Sequence, residues 1–176
     1  MPSIFTHAAA ALALGTAFRA PSPPARFWVA GALCAVVPDL DAFALRWVPY
    51  DHVLGHRGIT HSIAFAAVCA AAVVAAAFRS WPGGPAVPLA YLWIATASHG
   101  LLDMFTDGGG GVALLAPFTD ERLFFPWRPI LVSPMSASRF FTERGARVFA
   151  SELRWVWLPC AVLVVACIAV RRRRQR

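Results

Sequence analysis

Long apolar runs separated by short polar clusters form the pattern of this chain. The runs cover residues 4–18, 27–37, 63–78, 86–105 and 155–170. A helix rises about 1.5 Å per residue and bilayer hydrocarbon is ~30 Å thick, so the three later runs are expected to span a membrane. Residues 27–37 are too few for this, and with residues 4–18 they are expected to form a short or partly embedded hairpin. The predicted fold is an all-α integral membrane helical bundle of about four to five membrane-embedded helices.

The polar segments between the runs have the composition of turns and surface loops. Residues 19–26 form a basic, proline-rich turn, and residues 79–85 combine Pro, Gly and Trp in a helix-breaking cluster. Trp47 and Tyr50 place residues 45–54 at the lipid headgroups. Residues 112–151 are predicted to be a surface loop region with an amphipathic helix near 139–154, followed by the last span and a basic tail at 171–176. Residues 1–176 are therefore interpreted as a single membrane-embedded domain.

Composition supports the membrane assignment and excludes several other classes. Hydrophobic residues make up 59%, charged residues 14%, and the mean hydropathy is well above that of soluble domains. The net charge is +7, but the chain has no Lys and its Arg residues lie largely at segment ends, which indicates topology rather than nucleic-acid binding. All 4 Cys residues lie in apolar runs without C-x-x-C spacing, so neither a disulfide scaffold nor a structural zinc is expected.

The order of the runs brings the chemistry-bearing residues to one membrane face. If the basic tail is cytoplasmic, as the positive-inside rule predicts, alternating crossings place all five His and all nine acidic residues on the outer side. The Arg residues divide evenly between the two sides, so the tail alone favours this orientation. The expected location is the bacterial inner membrane, with the tail cytoplasmic and the polar site facing outward.

Two motifs place His residues at helix ends in this polar face. Residues 55–62 hold His56, Arg57 and His61 directly ahead of an apolar run, and a simpler interpretation is a loop whose Thr60 or Ser62 caps a helix. His99 and Asp103 are spaced i and i+4, which puts both on one helix face and suits one divalent ion. The alternative for that pair is a mutual ion pair.

Further ligand types sit at the same end of other helices, and together they favour metal binding. His7 lies in the first run, and Asp39 and Asp41 follow the second. Zinc prefers His nitrogen with carboxylate oxygen, and manganese also suits this mixture. Three or more His with several carboxylates can hold one or two ions.

These motifs resemble those of the YdjM-like family of membrane-bound metal-dependent hydrolases, over most of the chain. The matching segments are Thr6-His7, Pro38-Asp39-Leu40-Asp41, His56-Arg57-Gly58-Ile59-Thr60-His61-Ser62, His99-Gly100-Leu101-Leu102-Asp103, Pro117-Phe118 and Phe125-Pro126-Trp127. That family is distantly similar to the zinc-dependent phospholipase C and nuclease group of all-helical phosphoesterases. The resemblance implies an all-α fold and these metal ligands: His7, Asp39, His56, His61, His99 and Asp103.

The predicted function is metal-assisted hydrolysis of a phosphoester or lipid-linked substrate at the membrane surface. Asp41 or Asp107 is the expected general base, and Arg57 is expected to bind a substrate phosphate unless it serves as a helix-end or headgroup contact. Arg122 and Arg128 could bind anionic headgroups.

Two other functions stay open at this stage. A metal transporter or sensor would need polar groups near the bilayer midplane, but residues 68–77 and 87–94 have almost none. A non-catalytic scaffold would use the His residues only for stability. The expected partners are the lipid bilayer and the substrate, with no nucleic acid, and the sequence does not predict an oligomeric state.

Overall fold

The computed structural model describes residues 1–18, 23–134 and 137–175, and these residues form an all-helical protein without β-strands. The helices are α1 (Ile4–Gly15), α2 (Ala25–Cys34), α3 (Ile63–Ala77), α4 (Ala86–Met104), α5 (Ala137–Phe140), α6 (Glu143–Glu152) and α7 (Leu158–Arg174). Two 3₁₀ helices, Val37–Arg46 and Ile59–His61, precede α3, and a π-helical turn, Leu153–Trp157, joins α6 to α7. Residues 19–22 of the predicted Pro-rich turn and Arg176 of the tail lie outside the described residues.

Helix α4 is the centre of the bundle and packs against α1, α2 and α3. Its Tyr91 is fully buried and stacks on Phe27 of α2, with a ring-centroid distance of 4.3 Å. The Tyr91 hydroxyl donates a hydrogen bond to the Ala11 carbonyl of α1 at 3.3 Å. Gly31 permits this packing, because a Cβ there would lie 1.9 Å from the Tyr91 hydroxyl oxygen. This aromatic core fixes the positions of α1, α2 and α4 relative to one another, at the end of the bundle away from the predicted metal ligands.

Only two helical segments of the described chain are long and apolar enough to cross a membrane. They are Ala25–Arg46, in which α2 continues into the 3₁₀ helix, and Glu143–Arg174, which joins α6, the π turn and α7. Helices α1 and α3 are apolar but have 12 and 15 residues, and at about 1.5 Å per residue they are shorter than ~30 Å of hydrocarbon. The structure therefore does not confirm a bundle of four to five spans.

The predicted surface loop region is partly internal. The amphipathic helix expected near 139–154 is present as α6. By contrast, Val112, Ala113 and Leu114 are buried at the start of the loop. The Ala113 N–H donates to the Arg57 carbonyl at 2.9 Å, and the Ile63 N–H donates to the Leu114 carbonyl at 3.0 Å. This loop is held inside because it supplies the backbone partners of the segment before α3.

Candidate metal centre

The six predicted metal ligands come together in the interior, at one end of the bundle. Each is at most 7% exposed. They form two groups in which one ligand atom of each residue lies within 4.8 Å of the others: His7, His99 and Asp103 in the first group, and Asp39, His56 and His61 in the second. These six residues, which the sequence predicts to lie on one polar face, are thus close together in space.

The two groups touch each other through their ligand atoms. His61 Nε2 lies 3.1 Å from His99 Nε2, and Asp39 Oδ1 lies 3.2 Å from the same His99 nitrogen. Asp103 Oδ2 is 3.7 Å from His61 Nε2. In the first group the His7 and His99 rings stack with centroids 3.7 Å apart, and His7 Nε2 is 3.5 Å from Asp103 Oδ1. The ligand atoms of both groups therefore form one contiguous cluster, whose interior we call the ligand volume.

Outer hydrogen bonds fix which nitrogen of His99 faces this volume. His99 Nδ1 lies 2.7 Å from the Ala35 carbonyl oxygen, which can only accept, so Nδ1 carries the hydrogen and Nε2 keeps a lone pair in the neutral ring. A His that binds a metal commonly donates its other N–H to a backbone carbonyl or a carboxylate in this way. His99 is therefore held in a tautomer suited to metal binding.

Asp41 orients two further His residues in the same way, through contacts with their Nδ1 atoms. Its Oδ1 lies 2.6 Å from His56 Nδ1, and its Oδ2 lies 3.2 Å from His61 Nδ1. The Thr60 hydroxyl and the Arg57 backbone N–H also donate to Oδ2, at 2.5 and 3.2 Å. Both Nδ1 atoms are thereby occupied, which leaves Nε2 of each ring as the ligand atom. Asp41 lies outside the ligand set and orients it.

Arg57 is buried in the centre rather than displayed to a substrate. It is 1% exposed, and its Nε lies 2.9 Å from Asp103 Oδ2. The other guanidinium nitrogens donate to the Gly108 carbonyl at 2.9 Å and to the Thr106 hydroxyl at 3.0 Å. Its φ of +61° is in the left-handed region that non-glycine residues rarely adopt, so local strain accompanies this placement. In this position Arg57 neutralises and orients Asp103, and its predicted role in phosphate binding stays a prediction.

Several buried polar atoms at the centre make no hydrogen bond within the described part of the chain. They are both ring nitrogens of His7 and both carboxylate oxygens of Asp39 and of Asp103. The contacts of Arg57 and His7 with Asp103, and of His99 with Asp39, are ion-pair contacts whose geometry is not that of a hydrogen bond. Burying polar atoms without partners costs ~1–3 kcal/mol each, and more for charged groups. Such atoms converging on one volume are what a cation-binding site requires.

The carboxylates around His61 favour its protonated form when no metal is bound. Burial lowers the pKa of His61, but the adjacent carboxylates of Asp39 and Asp41 more than offset this and raise it to about 9. A protonated imidazole cannot coordinate a metal, so metal binding at His61 must displace a proton.

Comparison with known proteins places the chain among bacterial membrane proteins. The model of the family described as YdjM inner membrane protein matches residues 1–175. The chain belongs to the YdjM inner membrane protein family. It is also 41% identical to the inner membrane protein YbcI of Escherichia coli (strain K12) over 174 residues, which cover 98% of this chain and 100% of that protein. No solved structure matches the chain.

The remaining sequence candidates of this YdjM family member lie at the edge of the centre. Asp107 is exposed, and its Oδ1 accepts a hydrogen bond from the Val132 N–H at 2.7 Å. Arg122 donates to the carbonyls of Tyr50 and His56 at 2.7 and 3.0 Å, which ties the two loops together. Arg128 is exposed and stacks over Phe124, 4.6 Å from the ring centroid.

Glu152 is an important residue that the sequence reasoning missed. It is fully buried and accepts hydrogen bonds from the Ser3 N–H at 2.5 Å and from the Ser3 and Thr6 hydroxyls at 2.7 Å each. The Trp157 indole N–H donates to the same Thr6 hydroxyl at 2.8 Å. This network fastens the first turn of α1, which carries His7, to the long C-terminal helix. An acidic residue just ahead of the last apolar run was the available signal.

Proposed function

We propose that this YdjM family member is a divalent-metal-dependent hydrolase that acts on a phosphoester or lipid-linked substrate at the surface of the bacterial inner membrane. The observation that carries the proposal is the convergence of four buried His and two buried carboxylates in one cluster, where several of the ligand atoms make no hydrogen bond.

The donor set fits the ion that the proposal requires. Four His and two carboxylates form the two groups, and this mixture suits zinc best and manganese second. The two contiguous groups of three ligands support one ion or two. Orienting partners outside the ligand set, Asp41 and the Ala35 carbonyl, are also what a metal site needs.

The chemistry divides between the ion and the surrounding residues. When bound, a divalent ion supplies a Lewis acid that polarises a phosphoryl oxygen and makes water more acidic. Asp41 keeps His56 and His61 in the metal-binding tautomer, and Arg57 orients Asp103. Both oxygens of Asp41 are engaged, whereas Asp107 is exposed with one oxygen in a hydrogen bond, so Asp107 is the better general-base candidate of the two.

The proposed topology places the basic tail in the cytoplasm and the metal centre at the outer face. The four arginines at the end of α7 support this by the positive-inside rule. The shorter helices α1 and α3 and the more polar α4 would be embedded by packing around the two long segments. Cysteine accessibility to an impermeant thiol reagent, at Phe118 replaced by Cys, would report the side of the membrane.

Elemental mass spectrometry on detergent-purified protein tests the proposal first. The wild type is expected to carry at least one zinc or manganese per chain, and His99→Ala/Asp103→Ala is expected to lose it. The matched control is Asp51→Ala/His52→Ala, which removes the same residue types from an exposed loop. Loss of phosphate release from lipid phosphoesters in the first variant, but not in the control, would support hydrolysis. A folded wild type that stays metal-free after reconstitution with either ion contradicts the proposal.

A further inference from the structure

A groove next to the metal centre is lined almost entirely by apolar side chains. Its volume is about 280 Å³, and two Ser residues, Ser3 and Ser133, contribute the polar part of its wall. The apolar part is formed by Met1, Ile4, Phe5, Pro134, Phe140 and Phe141. Phe5 is 61% exposed and Phe141 is 85% exposed, so the rim of this groove faces the surroundings of the protein. We call it the α1–α5 groove.

The α1–α5 groove is separated from the first group of metal ligands by Met1. Met1 lines the groove, and its backbone nitrogen lies 4.0 Å from Asp103 Oδ1. Ile4 lies one helical turn before His7 in α1; Ile4 is exposed on the groove side, whereas His7 is buried. The Ser133 N–H donates to the Met1 carbonyl at 2.9 Å, which fixes this wall. A molecule lying in the groove would therefore contact Met1, whose backbone nitrogen is next to Asp103.

The shape of the groove selects a chain rather than a bulky group. Pockets for drug-sized molecules usually hold about 300–1,000 Å³, so this groove lies at the lower limit and suits a narrow apolar segment. In a protein of an inner membrane family, acyl chains are the apolar segments that surround the molecule.

Charge near the groove favours a lipid with an anionic headgroup. Residues 137–147 hold three Arg and one Glu. Glu143 is paired with Arg147 across one helical turn, with 3.8 Å between Oε1 and Nε. Arg139 and Arg144 are exposed, and Arg139 directly precedes Phe140 of the groove. A guanidinium group recognises phosphate oxygens through paired hydrogen bonds.

We propose that the α1–α5 groove binds an acyl chain of an anionic phospholipid substrate and so directs its phosphate toward the metal centre. This inference rests on the proposed hydrolase function and adds the substrate class to it. Specificity then comes from two parts of the molecule: the groove selects a chain, and the centre together with the arginines selects a phosphate.

Photolabelling of the full-length protein tests this proposal. The probe is phosphatidic acid with a diazirine in its acyl chain, diluted in phosphatidylcholine vesicles, and the labelled residues are mapped by peptide mass spectrometry. Labelling at residues 4–5 and 140–141 is expected to exceed that at residues 158–165 of α7 about tenfold, which corresponds to roughly 1.4 kcal/mol of preference. Leu158, Val162 and Val165 of α7 are 56–69% exposed, so they report ordinary contact with lipid.

Two variants and one control separate a groove from general lipid contact. Ile4→Trp fills the groove and is expected to reduce the preference to the level of α7. Phe141→Ala removes part of the wall from an exposed position, so it should fold normally and also lower labelling. Val162→Trp places the same bulk on α7 and should leave the labelling of the groove unchanged.

The proposal is overturned if labelling is equal in the groove and on α7, or if Ile4→Trp and Phe141→Ala both label as the wild type does. Equal labelling by a neutral phosphatidylcholine probe would also contradict it. Zinc content of the same samples keeps this failure distinct from failure of the hydrolase proposal. A zinc-loaded protein that labels evenly contradicts only the groove, whereas a metal-free protein that labels in the groove contradicts only the hydrolase.

Discussion

Gly100 allows the backbone of His61 to pack directly against α4, one residue after His99. A Cβ at this position would lie 2.4 Å from the His61 carbonyl oxygen, where ordinary contact begins near 3.4 Å. Gly100→Ala must therefore move His61 away from α4 by about 1 Å, because interiors are close-packed. Distances to a bound metal tolerate only about 0.2 Å. We expect the variant to bind zinc at least about tenfold more weakly, in the range seen when partners that orient metal ligands are lost.

Stability gives an independent measure of the same clash. In a helix interior, Ala is normally more stable than Gly by ~0.5–1 kcal/mol. Overpacking costs ~1–3 kcal/mol, so the net expectation for Gly100→Ala is a loss of about 1–2 kcal/mol. The assay is zinc competition with a chromophoric chelator, followed by unfolding in the same detergent.

A neighbouring substitution controls for general effects on α4. Ser98→Ala changes the same helix turn without adding an atom, and it should retain the zinc affinity of the wild type. If Gly100→Ala binds zinc as tightly as the wild type and is equally or more stable, the argument from close approach is refuted.

Substitutions at three further residues test the groups that orient the ligands. Asp41→Asn keeps the shape but removes the carboxylate that holds two His rings, so zinc affinity should fall about 10–100-fold with little change in unfolding, and an unchanged affinity would contradict the role. Arg57→Lys keeps a charge but loses the planar fork between Asp103 and the loop, so unfolding should become easier by about 1–3 kcal/mol, as measured by denaturation in detergent. Glu152→Ala leaves buried donors of α1 without an acceptor and should cost about 1–3 kcal/mol. Glu152→Gln, which keeps an acceptor, should recover most of that loss, and equal loss in both variants would argue against the network.

The clustering of these His and Asp residues could largely be predicted from the sequence, because ionisable residues in apolar runs have few roles. His7 lies in the first run, and His99 and Asp103 lie one turn apart in another, so the topology predicts that these helix ends meet. The all-helical architecture followed from the same runs. The lengths of the helical segments could not be predicted from these runs. Ala25–Arg46 continues as one helical segment through the Pro38 motif, at which the apolar run ends. A proline in the first turn of a helix is compatible with helical structure, and here it begins the 3₁₀ segment.

The separation of ligands from orienting residues could not be predicted from the sequence. Asp39 and Asp41 are two residues apart in one motif, but a 3₁₀ helix has about three residues per turn, so the two carboxylates point in different directions. Only the three-dimensional structure shows that Asp39 faces the ligand volume and Asp41 faces His56. The left-handed backbone of Arg57 was equally hidden, since nothing in its residue type favours a positive φ.

The charge of the centre explains why orientation and metal binding are linked. Among the side chains that the structure describes there, Asp39, Asp41 and Asp103 are buried acids, and Arg57 is the buried permanent cation that faces them. With neutral His rings the set has a net charge of about −2, and buried charge of this size must be compensated by protons or by a bound cation. The raised pKa of His61 corresponds to compensation by a bound proton. A divalent ion would be the alternative source of positive charge. Removing a carboxylate therefore removes both a ligand and the need for positive charge, whereas removing a His removes a ligand and leaves that need in place.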